Sequence, residues 1–168
     1  MMPVHGDAIV PPRWSLATII RTPGVPHAGQ GMHCGELVRS LLLVMTIRTG
    51  TDLAAVEDVV DAVTAHGERY LDRVFTLRER TDTGDDPERL AARFAGKEAV
   101  VKLLRPAPDQ GIPLRDVAVV LDAGGAPTVE LSGAAAALAE SIGCGPIAVS
   151  LAHERGLAVA TAVALSER

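Results

Sequence analysis

The apolar positions of this chain change their period several times after residue 44. Over Met45–Gly50 they alternate as in a short strand. Over Leu53–His66 valines recur every three or four residues, which predicts an amphipathic helix that stops at Gly67. A longer helix is predicted over Pro87–Leu104, because Asp86 suits the N-cap and proline suits the first helical position.

Short apolar runs that flank turn residues predict two β-hairpins in the second half of the chain. The strands and turns of the first are Val117–Leu121, Asp122-Ala-Gly-Gly125 and Thr128–Leu131. Those of the second are Ile147–Leu151, Ala152–Gly156 and Leu157–Ala164. Strands that follow one another through tight turns are expected to pair antiparallel.

Two shorter helices complete the predicted elements. Thr76 and Glu79 have the spacing of a capping box that opens a short helix, and a polar turn follows over Thr81–Asp86. Ala134–Glu140 is rich in alanine and is predicted as a helix with Ser132 at its N-cap. Helices mixed with antiparallel strands indicate an α+β fold, in which a small antiparallel sheet packs with a long helix and shorter helices.

The first 44 residues lack a sustained apolar period and are rich in proline and glycine. We therefore divide the chain into an irregular N-terminal extension, residues 1–44, and one folded domain, residues 45–168. Met45 stands directly before the patterned region, so the extension is interpreted as an upstream mis-start of translation or a passive tail. A tail with its own partner is the alternative.

The composition argues against several classes of function. A formal net charge of −5 and an aromatic content of 2% disfavour a nucleic-acid-binding protein. The two cysteines, Cys34 and Cys144, form neither a disulfide framework nor a zinc knuckle, so a reducing, cytoplasmic location is expected. The apolar run Leu41–Ile47 is too short to span a bilayer, so no membrane partner is expected.

The basic residues are divided very unevenly between arginine and lysine. Of the 16 basic residues only two are lysines, and these two, Lys97 and Lys102, stand five residues apart around Glu98. Lysine is a compact point charge at phosphate sites, and arginine is not equivalent to it there. The pair therefore indicates a phosphate site, with chance proximity as the alternative.

Three local arrangements are candidates for chemistry, and each has a plainer structural explanation. Glu98 and Lys102 share a helix face, so they form either a surface ion pair or part of a site. Asp52 stands where the first strand meets the first helix, as an N-cap or as a Mg²⁺ ligand together with Glu98. His153, in the second hairpin, is a candidate through its place at a strand end.

Four separated motifs occur in a distinctive order. They are Thr49-Gly-Thr-Asp-Leu53, Glu68-Arg-Tyr-Leu-Asp-Arg-Val-Phe-Thr76, Arg93-Phe-Ala-Gly-Lys-Glu-Ala-Val-Val-Lys102 and Ser150-Leu-Ala-His-Glu154. Their order and spacing resemble the holo-[acyl-carrier-protein] synthase family, the small type of 4′-phosphopantetheinyl transferase. The resemblance covers about Met45 to Glu167, and residues 1–44 have no counterpart in it.

The resemblance implies Mg²⁺-dependent transfer of the 4′-phosphopantetheine arm of coenzyme A to a serine of an apo acyl carrier protein, or of a polyketide or peptidyl carrier. Adenosine 3′,5′-bisphosphate leaves, and fatty acid or polyketide biosynthesis uses the product. The resemblance also implies a homotrimer with sites between subunits. It assigns the metal to Asp52 and Glu98, and the catalysis to these two with Lys102. The matching coenzyme-binding positions are Arg93, Lys97, Lys102 and His153.

The chain departs from the family pattern where both substrates would be held. Asp58 replaces an arginine of the helix that binds the acidic carrier, and Pro106 and Pro108 interrupt a segment that is normally rich in glycine.

Glu98 is the first choice for the general base, directly or through water, although the sequence leaves this open. A non-catalytic or repurposed relative is the alternative to an active transferase. Carrier docking would depend on a less acidic carrier or on Arg69, Arg73, Arg78 and Arg80.

Overall fold

The structure is a computed structural model that describes residues 45–167. Five helices and five strands follow in the order β1, α1 to α4, β2, β3, α5, β4, β5, with one 3₁₀ turn, Leu114–Asp116, before β2. Their bounds are β1 Met45–Ala55, α1 Val56–His66, α2 Glu68–Val74, α3 Leu77–Thr83, α4 Pro87–Leu104, β2 Val117–Leu121, β3 Pro127–Leu131, α5 Gly133–Ser141, β4 Ala148–Glu154 and β5 Leu157–Glu167.

The five strands form one antiparallel sheet in the order β1-β5-β4-β3-β2. Both predicted hairpins are present as the pairs β2–β3 and β4–β5. The first strand joins the second hairpin, because β1 pairs with β5 over its whole length, from Met45 opposite Glu167 to Ala55 opposite Leu157. The α+β class predicted from the sequence is confirmed.

Helix α4 lies across the inner face of β1 and β5, and small residues allow the close approach. Ala99 on the helix and Ala160 and Ala162 on β5 belong to one buried cluster. At Gly50 the contact is closest, because a Cβ added there would lie 2.0 Å from the carbonyl oxygen of Ala99. Strand β1 therefore packs directly on the backbone of α4, and any residue larger than glycine at position 50 would separate them.

Strand β1 is longer than predicted, and this changes the surroundings of Asp52. The predicted strand ended at Gly50, whereas pairing with β5 carries it on to Ala55. Helix α1 begins at Val56, and its N-cap position is Ala55. The interpretation of Asp52 as a helix N-cap is therefore wrong, since Asp52 lies within the strand.

Other boundaries also differ from the prediction. Helix α2 was not predicted, and α3 continues to Thr83 through much of the expected polar turn. The second hairpin turns at Arg155 and Gly156, so His153 lies in β4. Ser132 does stand at the N-cap of α5, but Asp116 supplies the cap by accepting a 2.7 Å hydrogen bond from the Ala134 N–H.

The N-cap of α4 agrees with the prediction, since Asp86 accepts a hydrogen bond from the Arg89 N–H and Pro87 opens the helix. The capping box of Thr76 and Glu79 is also present. None of the helices within residues 45–167 is long and apolar enough to cross a membrane. The predicted N-terminal extension, residues 1–44, lies outside the described residues.

Candidate active site

Asp52 and Lys102 meet where β1 packs on α4. Lys102 Nζ donates a 2.6 Å hydrogen bond to Asp52 Oδ1, across fifty residues of sequence. The Asp52 side chain is 13% exposed, whereas that of Lys102 is 53% exposed. This hydrogen bond raises the pKa of the Lys102 ammonium. The positive charge is therefore held at the mouth of the site by a carboxylate that lies deeper.

Glu98 stands one helical turn before Lys102 and lines a cavity together with Asp52. The cavity has a volume of about 350 Å³, and Phe94, Tyr70 and Asp58 also contribute to its wall. Burial raises the pKa of Glu98, and the neighbouring charge of Asp52 raises it further, while Lys102 opposes the shift. Two carboxylates thus repel each other across a small cavity, which is the electrostatic setting that a cation relieves.

The donor set of this cavity suits a hard divalent cation. Mg²⁺ prefers oxygen ligands and is commonly held by one or two carboxylates, with water and substrate phosphates completing its coordination. Asp52 and Glu98 supply two such carboxylates. Within residues 45–167 no three His, Cys, Asp or Glu side chains are grouped to hold a metal by themselves.

The structure encloses Lys97, which the resemblance assigns to coenzyme binding. Its side chain is fully buried, and Nζ donates to Glu79 Oε2 at 2.7 Å, to the Val117 carbonyl at 2.6 Å and to the Leu114 carbonyl at 3.2 Å. These three acceptors match the three N–H donors of an ammonium. Burial lowers the pKa of Lys97, and Glu79 opposes this. In this conformation the Lys97 ammonium is therefore enclosed and fully paired by protein acceptors.

Glu79, the partner of Lys97, was identified only as half of a capping box. Both of its oxygens are used, because Oε2 accepts from Thr76 as well as from Lys97, and Oε1 accepts from the Val119 N–H at 2.9 Å. The side chain is fully buried. A single carboxylate thus joins α3, α4 and β2, and the local capping signal could not reveal the two distant partners.

Arg93 is buried on α4 without an acceptor. The residue is 7% exposed, and its Nε has no hydrogen-bond partner. Among residues 45–167 no carboxylate lies within ion-pair distance of it, although Asp82 and Glu79 act on it from further away. Burial lowers the pKa of this guanidinium. A buried N–H donor that lacks an acceptor is unfavourable by itself, and an anion would satisfy it.

His153 lies at a distance from the carboxylate pair. Its Nδ1 is 3.4 Å from Glu88 Oε2, and Glu88 belongs to the first turn of α4. Fourteen residues of helix separate Glu88 from Lys102, which corresponds to roughly 20 Å along the axis. One chain therefore assembles Asp52, Glu98 and Lys102 and leaves His153 near the opposite end of the helix.

Known proteins resemble this chain over most of the described region. The family model for the 4'-phosphopantetheinyl transferase superfamily matches residues 48–162. The holo-[acyl-carrier-protein] synthases of Chloroflexus aggregans and Halorhodospira halophila are 41% and 40% identical over 68% and 66% of this chain, and over 92% and 90% of their own length. The Chronobacterium ammoniagenes ACPS-CoA complex matches with a TM-score of 0.64 and 28% identity, over 73% of this chain and 99% of that one. The chain belongs to the holo-[acyl-carrier-protein] synthase family.

Proposed function

We propose that this protein is an enzyme that transfers the 4′-phosphopantetheine arm of coenzyme A to a serine hydroxyl of an apo carrier protein and releases adenosine 3′,5′-bisphosphate. The observation that carries the proposal is the group of Asp52, Glu98 and Lys102 where β1 meets α4. Phosphoryl transfer depends on positioning and on neutralising charge at the phosphate oxygens. A carboxylate pair with an exposed lysine beside it supplies protein groups that can position the phosphate and neutralise its charge.

Asp52 and Glu98 would hold Mg²⁺. Their mutual repulsion, which contributes to the raised pKa of Glu98, supports this assignment. When bound, the cation supplies a positive charge that neutralises the pyrophosphate of coenzyme A. Metal binding would also compete with Lys102 for Asp52, since both act on the same carboxylate.

Lys102 would move from Asp52 to a phosphate oxygen. Its ammonium already lies at the exposed side of the cavity, held by a single 2.6 Å contact. The four-carbon stem of lysine allows such a movement without any change in the helix. Charge-assisted hydrogen bonds to phosphate are stronger than neutral ones, so Lys102 would stabilise the charge that develops on the leaving group.

Glu98 would accept the proton of the serine hydroxyl, directly or through a water molecule. Its raised pKa makes it a stronger base than an ordinary exposed carboxylate. The side chain is half-buried in the cavity wall, which limits competition from bulk water. Arg93 would bind a phosphate of the coenzyme, because its buried Nε lacks an acceptor. His153 would contact the nucleotide, and its exposed position leaves it open to a ligand.

Carrier docking would use the groove between α1 and α2. Arg69 and Arg73 are exposed there and form no ion pair within the described part of the chain, whereas Arg78 and Arg80 are already bound to carboxylates. Tyr70 lines both this groove and the Asp52 cavity, so the two adjoin. Asp58, on the cavity wall, would weaken the docking of an acidic carrier, and this favours a less acidic one.

We also propose that the protein assembles as a homotrimer. The outer face of β1 and β5 is apolar and exposed, with Ile47 67% exposed opposite Leu165 at 50%, and with Leu53 opposite Val159 further along. Such a surface commonly marks an interface. Light scattering on wild type and Ile47→Glu tests this, because one charge on the face should convert trimer to monomer. A wild-type monomer would contradict the assignment.

We also propose that the protein is located in the cytoplasm, as expected from its cysteine count.

Calorimetry with coenzyme A separates the transferase from a non-catalytic relative that lost the ligand. We expect binding in the presence of Mg²⁺ and weaker binding with EDTA, because the cation and the coenzyme phosphates would share one site. Glu140→Gln changes an exposed carboxylate on α5 and serves as the control. Binding of coenzyme A that does not depend on Mg²⁺ would contradict the role given to Asp52 and Glu98. The absence of any coenzyme A binding would contradict the proposed transferase activity.

A further inference from the structure

The last turn of α4 is held by an arginine from another element. Arg48 on β1 donates from Nε to the Leu103 carbonyl and from Nη2 to the Leu104 carbonyl, both at 3.0 Å. These carbonyls belong to the end of the helix, where no later turn supplies N–H donors. A guanidinium there satisfies two acceptors and carries a charge that suits the helix dipole.

The way in which α4 ends gives this contact unusual importance. Arg105 follows the helix in the left-handed region, with φ 55°, where a residue other than glycine is strained. Pro106 comes next and has no N–H to offer the helix end. After Leu104 the backbone supplies one capping hydrogen bond, from the Arg105 N–H to the Val101 carbonyl, and Arg48 supplies the donors for the Leu103 and Leu104 carbonyls.

Lys102 belongs to the turn that Arg48 holds. It stands directly before Leu103 and Leu104, whose carbonyls accept the hydrogen bonds from Arg48. Arg48, Gly50 and Asp52 lie on the same face of β1, since alternate residues of a strand point the same way. Between the two polar contacts, Gly50 packs on the backbone of Ala99. Strand and helix are thus joined at three successive points, and the third is the contact between Asp52 and Lys102.

We propose that Arg48 is a positioning residue for Lys102. It fixes the end of α4 against β1, so that the lysine is presented to Asp52 and, on the proposed function, to the transferred phosphate. Arg48 touches neither substrate nor metal in this arrangement. Loss of its two hydrogen bonds should loosen the last turn and lower kcat, while KM for the carrier, set at the groove of Arg69 and Arg73, should stay unchanged.

The test uses three variants of the full chain at a temperature where all are folded. Arg48→Met should lower kcat about tenfold with KM for an apo acyl carrier protein within twofold, and Arg48→Lys should recover most of the loss because an ammonium can donate to the same carbonyls. Asp116→Ala is the control, since it removes the cap of α5 and should lower the melting temperature without changing kcat. A kcat for Arg48→Met equal to that of wild type would overturn the proposal.

A second readout does not depend on activity. The chain has only two lysines, so ¹³Cε-lysine labelling gives two signals. In Arg48→Met the Lys102 signal should move toward its position in Asp52→Asn, while the Lys97 signal stays in place. An unmoved Lys102 signal would overturn the proposal even if the wild type proved inactive as a transferase. Should Arg48→Met not fold, Arg48→Leu, which also lacks a donor, is judged by the same two criteria.

Discussion

Lys102 Nζ on α4 lies 2.6 Å from Asp52 Oδ1 on β1, although the two residues are fifty positions apart. The pairing of β1 with β5 and the close packing of Gly50 on Ala99 bring them together. The other lysine of the chain, Lys97, is fully buried and donates to three acceptors. The two lysines therefore have different surroundings: Lys97 is enclosed in the fold, and Lys102 is exposed at the cavity.

Removing either carboxylate should abolish Mg²⁺-dependent turnover. Asp52→Asn and Glu98→Gln each delete one of two charged ligands, so we expect kcat/KM to fall at least 100-fold and Mn²⁺ binding, followed by electron paramagnetic resonance, to be lost. The fold should persist, because burial and repulsion already oppose the charge on Glu98. Glu140→Gln is the control. Full activity in either variant would contradict the metal assignment.

Breaking the buried ion pair should affect stability. Lys97→Met leaves Glu79 buried without its cation, and Glu79→Gln leaves Lys97 without its anion, so each should cost roughly 3–5 kcal/mol of unfolding free energy. The double variant should be less destabilised than the sum, as measured by urea unfolding. If Lys97→Met unfolded like wild type but bound coenzyme A more weakly, the original expectation of a coenzyme contact would be correct.

Removing Arg93, whose Nε lacks an acceptor, should preserve stability and weaken coenzyme A binding. The variants of the buried ion pair, by contrast, should lose stability. Arg93→Met loses no hydrogen bond of the free protein and relieves a buried charge, so its melting temperature should equal or exceed that of wild type. Coenzyme A binding should weaken about tenfold or more, because a charge-assisted hydrogen bond to phosphate is lost. Calorimetry measures the affinity, with Arg89→Met on the exposed side of α4 as the control. Unchanged affinity would show that no phosphate reaches Arg93.

Asp58 should limit the choice of carrier. Asp58→Arg replaces a repulsive charge on the wall of the cavity, so kcat/KM for an ordinary acidic acyl carrier protein should rise about tenfold at low salt and less at high salt. Glu140→Arg makes the same change in net charge at a distant position and should have little effect. A decrease in rate for Asp58→Arg would instead indicate that the natural carrier presents a basic group there.

Local signals in the sequence predicted most elements but not the contacts between them. The capping box at Thr76 and Glu79, the start of α4 and both hairpins depend on neighbouring residues, and the structure contains them. The local sequence makes Asp52 an N-cap candidate because the extension of β1 depends on pairing with β5, about a hundred residues later.

The burial of Lys97 against Glu79 could not be predicted for a similar reason. Helix α4 buries residues on nearly every face, so apolar spacing alone could not distinguish the lysine that faces α3 and β2 from the one that faces solvent. Glu79 carried a visible capping signal, but its hydrogen bonds to Lys97 and to the Val119 N–H join elements that are distant in sequence. The resemblance identified the residues, and only the packing distinguished the buried lysine from the exposed one.

Intact-protein mass spectrometry of an apo carrier protein tests the central claim most directly. Incubation with this protein, coenzyme A and Mg²⁺ should add the mass of one phosphopantetheine, and EDTA or the Lys102→Met variant should prevent the addition. No mass gain across a panel of fatty acid, polyketide and peptide carriers would contradict the assignment of Asp52, Glu98 and Lys102 as a working transferase site.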